Sequence, residues 1–163
     1  MEESRVDKAE RLFREGYNCS QAVVAAFCDI YGLDEELALR ISASFGAGLG
    51  RMREVCGAVS GMGIIAGLEN GTTDGKDRDG KKANYDLISS MAGEFKKNNG
   101  TIICRELLGL SDKKSPVQKG EEQKIDTTPQ VRDDKYYKTR PCVDKVRECA
   151  QIIEEYIVNK KRR

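Results

Sequence analysis

Apolar positions recur at helical spacing along almost the whole chain. Val6, Ala9, Phe13 and Tyr17 stand at i, i+3, i+7 and i+11, which predicts an amphipathic helix closing near Gly16. Asn18 with Gln21 three residues on predicts an N-cap and capping box, with Cys19 at the first helical position. From Ala22 to Tyr31 the residues are apolar nearly all round, so this second helix is expected to be buried and to stop at Gly32. Asp34 reads as the N-cap of a third helix, with Glu35 and Glu36 in its first turn and Leu37, Ile41 and Phe45 on its apolar side.

The next stretch, Phe45 to Gly61, organises the rest. Gly46, Gly48 and Gly50 alternate and predict a glycine-rich loop that admits positive φ and close approach. Small and apolar residues then run from Cys56 to Leu68, closed by Asn70-Gly71, a central helix with Cys56 at its opening. A thiol there faces unpaired N–H groups and the positive end of the helix dipole, so Cys56 is expected to be the most acidic thiol. Gly57/Gly61 and Gly63/Gly67 are spaced to let a neighbouring helix pack closely.

Gly71 to Gly80 reads as a polar loop. Its match to a calcium loop fails at Gly75 and Asp86, so a solvated charged turn is the reading. Tyr85, Ile88, Ala92 and Phe95 define another helix, ended by Asn99-Gly100. Thr101 is the expected cap of a short helix from Ile102 to Leu108, with Cys104 in its first turn. Residues 110–135 turn polar, with Pro116, Gly120 and Pro129, and are expected to form a mobile surface excursion, functional if it acts as a lid. Pro141 suits the first position of the last helix, which places Cys142 in its first turn, and Val146, Cys149, Ile153 and Tyr156 share its face. No strand pattern and no repeat occur. The fold class expected is all-α: one domain over 1–163, a multi-helix bundle with the glycine-rich loop before its central helix.

Charge removes some functions. Lys+Arg 28 against Asp+Glu 27 gives no field for nucleic acid, and the longest apolar run is too short to span a bilayer. The N-terminus lacks the basic and apolar regions of a signal peptide, so a cytoplasmic location is expected, and homo-oligomerisation stays open. The chain has six cysteines and no histidine. A Cys–His dyad, mixed Cys/His zinc and histidine-ligated haem are thereby excluded. C-x-x-C is absent as well, against a thioredoxin-type centre or zinc ribbon.

Cys19, Cys56, Cys104 and Cys142 all fall in predicted first helical turns. Cys28, nine residues after Cys19, lies on roughly the opposite side of its helix at about 100° per residue, and reads as core. Tyr17-Asn-Cys-Ser-Gln-Ala-Val, Tyr31-Gly, Phe45-Gly-Ala-Gly-Leu-Gly-Arg-Met, Glu54-Val-Cys-Gly-Ala-Val-Ser-Gly61 and Gly67-Leu together resemble a redox-active protein family named for its cysteine pattern. The resemblance is close from Tyr17 to Gly71 and then rests on Cys104, in Cys-Arg-Glu-Leu-Leu-Gly, and on Cys142. Its four characteristic cysteines match Cys19, Cys56, Cys104 and Cys142; Arg53 stands where a glycine is usual. What the resemblance implies is redox activity and frequent genetic association with transporters.

Three readings follow. The four cysteines could ligate an iron–sulfur cluster or another thiolate-bound metal, with structural zinc fitting the ligand count equally. Without metal they could work as a dithiol/disulfide couple with an unidentified electron donor or acceptor, Cys56 attacking and another cysteine resolving. In that case Gly46, Gly48, Gly50, Arg51 and Gly57 are the candidates for holding a cofactor or the anionic part of a substrate. The third reading is a non-enzymatic ligand- or partner-binding module, with a transporter-linked partner among the candidates and the cysteines merely packed.

Overall fold

A computed structural model describes residues 1–110 and 118–162, so Pro116 and the surrounding part of the expected excursion lie outside the described residues. Among the described residues the architecture is all-α, with eight helices and no sheet. These are α1 (Arg5–Arg14), α2 (Cys19–Phe27), α3 (Glu35–Ser42), α4 (Gly57–Asn70), α5 (Arg78–Asn99), α6 (Cys104–Leu107), α7 (Asp134–Thr139) and α8 (Cys142–Ile153). Helix α8 runs on through a wider turn at Glu154–Val158. No described helix is long and apolar enough to cross a membrane.

Helix α2 is the centre, against α1, α3, α4 and α8. Its seven buried residues include Val23, Val24 and Phe27, as its all-round apolar sequence requires. The Asn18 side chain accepts from the Gln21 N–H at 3.0 Å, and the Gln21 side chain accepts from the Asn18 N–H at 3.1 Å. That reciprocal box fixes where α2 begins. The helix tightens to a 3₁₀ turn over Cys28–Tyr31 and ends at Gly32 in the left-handed region. Helix α4 lies close on α2, because a Cβ at Gly61 would meet the Val23 Cβ at 3.0 Å. Phe13, Met62, Ile65, Phe95 and Ile153 fill the remaining core.

Several expectations are corrected. Leu37 and Ile41 are 47% and 42% exposed. Helix α3 instead turns Ala38 and Ser42 inward, with Ser42 Oγ donating to the Ala38 carbonyl at 2.6 Å. The Gln21 side chain bonds the Leu39 carbonyl at 3.1 Å, and small residues let α3 lie that near α2. Helix α5 begins at Arg78, inside the expected loop, because Asp77 caps it by accepting from the Gly80 N–H at 2.8 Å. Tyr85 is 63% exposed and Met91 takes its place in the core. Helix α7 went unpredicted in a stretch too polar to show a period.

Candidate functional site

The glycine-rich segment is a wound turn. Ala47, Gly48, Leu49, Gly50 and Arg51 all have positive φ, from 54° to 72°, and Arg53 follows at 60°. Left-handed backbone costs non-glycine residues about 1–2 kcal/mol each, so this turn persists only because its surroundings hold it. The Gly50 N–H bonds the Gly46 carbonyl at 3.0 Å, and the Glu54 N–H returns to the Gly48 carbonyl at 2.9 Å. Arg53 occupies a left-handed position, where a glycine would be unstrained.

The turn delivers residues 53–56 against 102–105. Val55 and Ile103 form an isolated antiparallel bridge. Around it the Cys56 N–H bonds the Ile102 carbonyl at 2.8 Å, and the Cys104 N–H bonds the Glu54 carbonyl at 2.6 Å. This pairing draws residues 102 and 103 out of the expected helix, so α6 starts at Cys104. On the other side, the Asn18 amide donates to the Ala43 carbonyl at 2.8 Å and lies against Gly46, where a Cβ would meet its Cγ at 2.3 Å. A Cβ at Gly57 would meet the Phe45 carbonyl at 2.9 Å and the Cys19 Cβ at 3.3 Å, so glycine brings Cys19 and α4 together.

Cys19, Cys56, Cys104 and Cys142 line one cavity of about 450 Å³. Gly46, Gly50, Arg51 and Gly57 line it too, while Gly48 lies behind Cys104. Cys28 lies elsewhere, its Sγ on the Ala25 carbonyl at 3.4 Å, and Cys149 is fully buried and off the cavity surface. All six cysteines are free thiols. Among the described residues, no group of three or more histidine, cysteine or carboxylate side chains is placed to hold a metal ion.

The four thiols differ in electrostatics. Burial pushes Cys56 up to about 11; the N–H groups of Val59 and Ala58 pull the other way and lose. The expectation that Cys56 is the most acidic thiol is therefore corrected: as the N-cap of α4 it has its helix amides, but desolvation of the thiolate costs more. Burial also raises Cys104, opposed by the Arg53 guanidinium 3.8 Å from its Sγ. Cys142 is lowered to about 6, first by the neighbouring Cys19 thiol, then by Tyr136 and the charges of Arg140 and Arg53, against the effect of burial. Cys19, its neighbour, is correspondingly raised, by Cys142 first and then by burial.

Sequence reasoning missed Tyr136, Arg140, Arg132 and Lys145, all of which line the cavity. Arg140 and Lys145 stand within one turn of Cys142, a local signal that could have been read. Arg132 and Tyr136 could not, because they reach the site from the polar segment. Arg132 donates to the Phe13 carbonyl and, at 2.9 Å, to the Tyr17 carbonyl, with its guanidinium 4.1 Å from the Phe13 ring centre.

The sequence model of a family described as "Putative redox-active protein (C_GCAxxG_C_C)" matches residues 17–156. The chain belongs to this family. Its name writes the core as Gly-Cys-Ala, whereas here the order is Cys56-Gly57-Ala58. The match spans all four cavity cysteines. No curated protein and no solved structure matches the chain.

Proposed function

We propose that this member of the C_GCAxxG_C_C family is a thiol–disulfide redox protein whose working couple is Cys19 and Cys142. Cys142 is the attacking thiolate and Cys19 the resolving thiol. The observation that carries this reading is that Cys19 and Cys142, each at the first position of its helix, line one cavity with Tyr136, Arg140 and Lys145 beside them. Thiol–disulfide exchange needs one thiolate and a second sulfur within reach, and the attacking thiol works best with a pKa near ambient pH. In a chain without histidine, Tyr136 and the Cys19 thiol are the proton-bearing groups that line the cavity with Cys142. Burial disfavours the thiolates of Cys56 and Cys104.

Titration with a mild oxidant tests the couple. Peptide mapping of the oxidised protein is expected to recover a Cys19–Cys142 link, which Cys19→Ser or Cys142→Ser abolishes. Six free thiols after oxidation, or a link between other cysteines, would sink it.

A second reading, a thiolate-held metal ion or iron–sulfur cluster, is favoured by the convergence of four cysteines on one cavity. It ranks below the couple because, among the described residues, no group of three or more donors is placed around a point. Metal analysis and an absorption spectrum of anaerobically purified protein separate the two. A colourless, metal-free protein insensitive to thiol reagents would leave only the non-enzymatic binding module.

A further inference from the structure

The cavity that holds the couple carries a local excess of positive charge. Arg51, Arg53, Arg132, Arg140 and Lys145 all line it, and no carboxylate among the described residues does. The whole chain is nearly neutral, with formal net charge +1, so the excess belongs to this place. Several arginines elsewhere are matched by carboxylates: Arg5 with Asp29, Arg11 with Glu3, Arg14 with Glu10, and Arg147 with Asp7. In the cavity the hydrogen-bond partners of the four cations other than Arg51 are neutral. Arg132 bonds two backbone carbonyls, Arg140 bonds the Gln130 amide oxygen at 2.9 Å, Lys145 bonds the Asn99 amide oxygen, and Arg53 faces the Cys104 sulfur. These bonds orient the cations without neutralising them. Asp126 feels the charge of Arg51 from outside the lining. Positive walls in a partly enclosed cleft concentrate anions and speed their arrival.

The rest of the lining is apolar, with Phe13, Leu107, Leu108 and Pro129 among it. A bare inorganic anion has no use for those surfaces. At about 450 Å³ the space lies in the range of small-molecule sites. Within the dithiol reading, on which this rests, the ligand must also present a bond that two thiols can reduce.

We propose that the cavity binds small organic disulfides carrying carboxylates, and that Cys142 and Cys19 reduce them. The Cys142 thiolate attacks one substrate sulfur, the substrate S–S bond breaks, and the first half leaves, taking the proton of Cys19. The Cys19 sulfur then attacks Cys142 Sγ and the second half leaves as its thiolate. The substrate gains two electrons and becomes one thiol and one thiolate; the protein loses two and holds a Cys19–Cys142 disulfide.

Two probe disulfides test this: dianionic 5,5′-dithiobis(2-nitrobenzoate) and uncharged 4,4′-dithiodipyridine. Each rate with the reduced full chain is divided by that reagent's rate with a free uncharged thiol. At low ionic strength the normalised rate for the dianion is expected to exceed the neutral one by about 10-fold or more. Added salt should erase that margin, and Arg51→Gln should reduce it by slowing the dianion more than the neutral reagent. Equal normalised rates, or a margin indifferent to salt, would overturn the preference for anions while a Cys19–Cys142 link still formed left the couple standing. Reaction with neither reagent, or reaction without that link, would overturn the couple and this proposal with it.

Discussion

Gly48 and Cys104 touch backbone to side chain: a Cβ added at Gly48 would stand 2.7 Å from the Cys104 Cβ. The same atom would meet the Arg53 Cα and the Glu54 N at 2.8 Å, and Gly48 has φ +72°. The left-handed turn therefore shapes the bed on which Cys104 lies.

Gly48→Ala combines a clash against backbone with a strained φ, each of which costs about 1–3 kcal/mol. A fall in thermal midpoint of several degrees is expected, with altered thiol reactivity at Cys104. Gly67→Ala in α4 is the contrast, since nothing lies within 4 Å of the added atom. There a helix-interior glycine is replaced by the best helix former, and a gain of about 0.5–1 kcal/mol is expected. Thermal melts of both variants check the pair. Equal effects would mean the turn is not held as described.

The pH dependence of alkylation reads the order of acidities. The thiolate is the reactive form, and Cys142 loses its proton as pH rises through about 6. The fast phase of iodoacetamide labelling should therefore rise from pH 5 to 7 and level off by pH 8, where an ordinary thiol, with pKa about 8.5, is still climbing. Tyr136→Phe removes a donor to the thiolate and Arg140→Gln removes a favourable charge, so each should move the midpoint upward. Cys142→Ser should delete the phase. A midpoint near 6 that survives Cys142→Ser and disappears in Cys56→Ser would restore the acidity to Cys56.

The positions of Cys19, Cys56, Cys104 and Cys142 at helix starts were legible because caps are local: Asn18 with Gln21, and Pro141 before Cys142, act over one turn. Their acidities were not legible. Dipole and amide effects can be read from a helix start, but desolvation depends on what packs over it, and Cys56 is covered where Cys142 is only partly so. The inner face of α3 was misread because apolar spacing favours Leu37 and Ile41, whereas close packing on α2 selects Ala38 and Ser42. The run of positive φ at Ala47, Leu49 and Arg51 had no sequence signal at all, since only the glycines between them advertise that conformation. The cation-lined wall was legible only in part, at Arg51 and in the turn around Cys142. Its members come from three separated segments.

Cys28 offers a negative control. It is buried beside Asp29 and Lys8, makes its one hydrogen bond to its own helix, and does not line the cavity. Cys28→Ala is expected to cost about 1 kcal/mol, as for a small core truncation, and to leave oxidation to the Cys19–Cys142 disulfide unchanged. Loss of that disulfide in a folded Cys28→Ala protein would place Cys28 in the redox chemistry.

Arg132 ties the polar segment to the bundle, and its removal separates two roles that segment could have. Its guanidinium donates to the carbonyls of Phe13, in the last turn of α1, and of Tyr17, just past its end, and lies over the Phe13 ring. Hydrogen bonds to a charged donor contribute about 1.5–3 kcal/mol and a covered cation–π contact about 1 kcal/mol more. Arg132→Gln keeps a donor but loses the charge and the fork, so a stability loss of about 2 kcal/mol is expected. Because Thr127, Pro129 and Gln130 line the cavity just upstream, the loss should also loosen its wall. Limited proteolysis should then cut between residues 118 and 133 faster than in the parent, and the Cys142 thiol should label faster at fixed pH. If cleavage speeds up while labelling stays the same, the segment is held by Arg132 but does not control access. If neither changes, the two carbonyl bonds contribute nothing to its position.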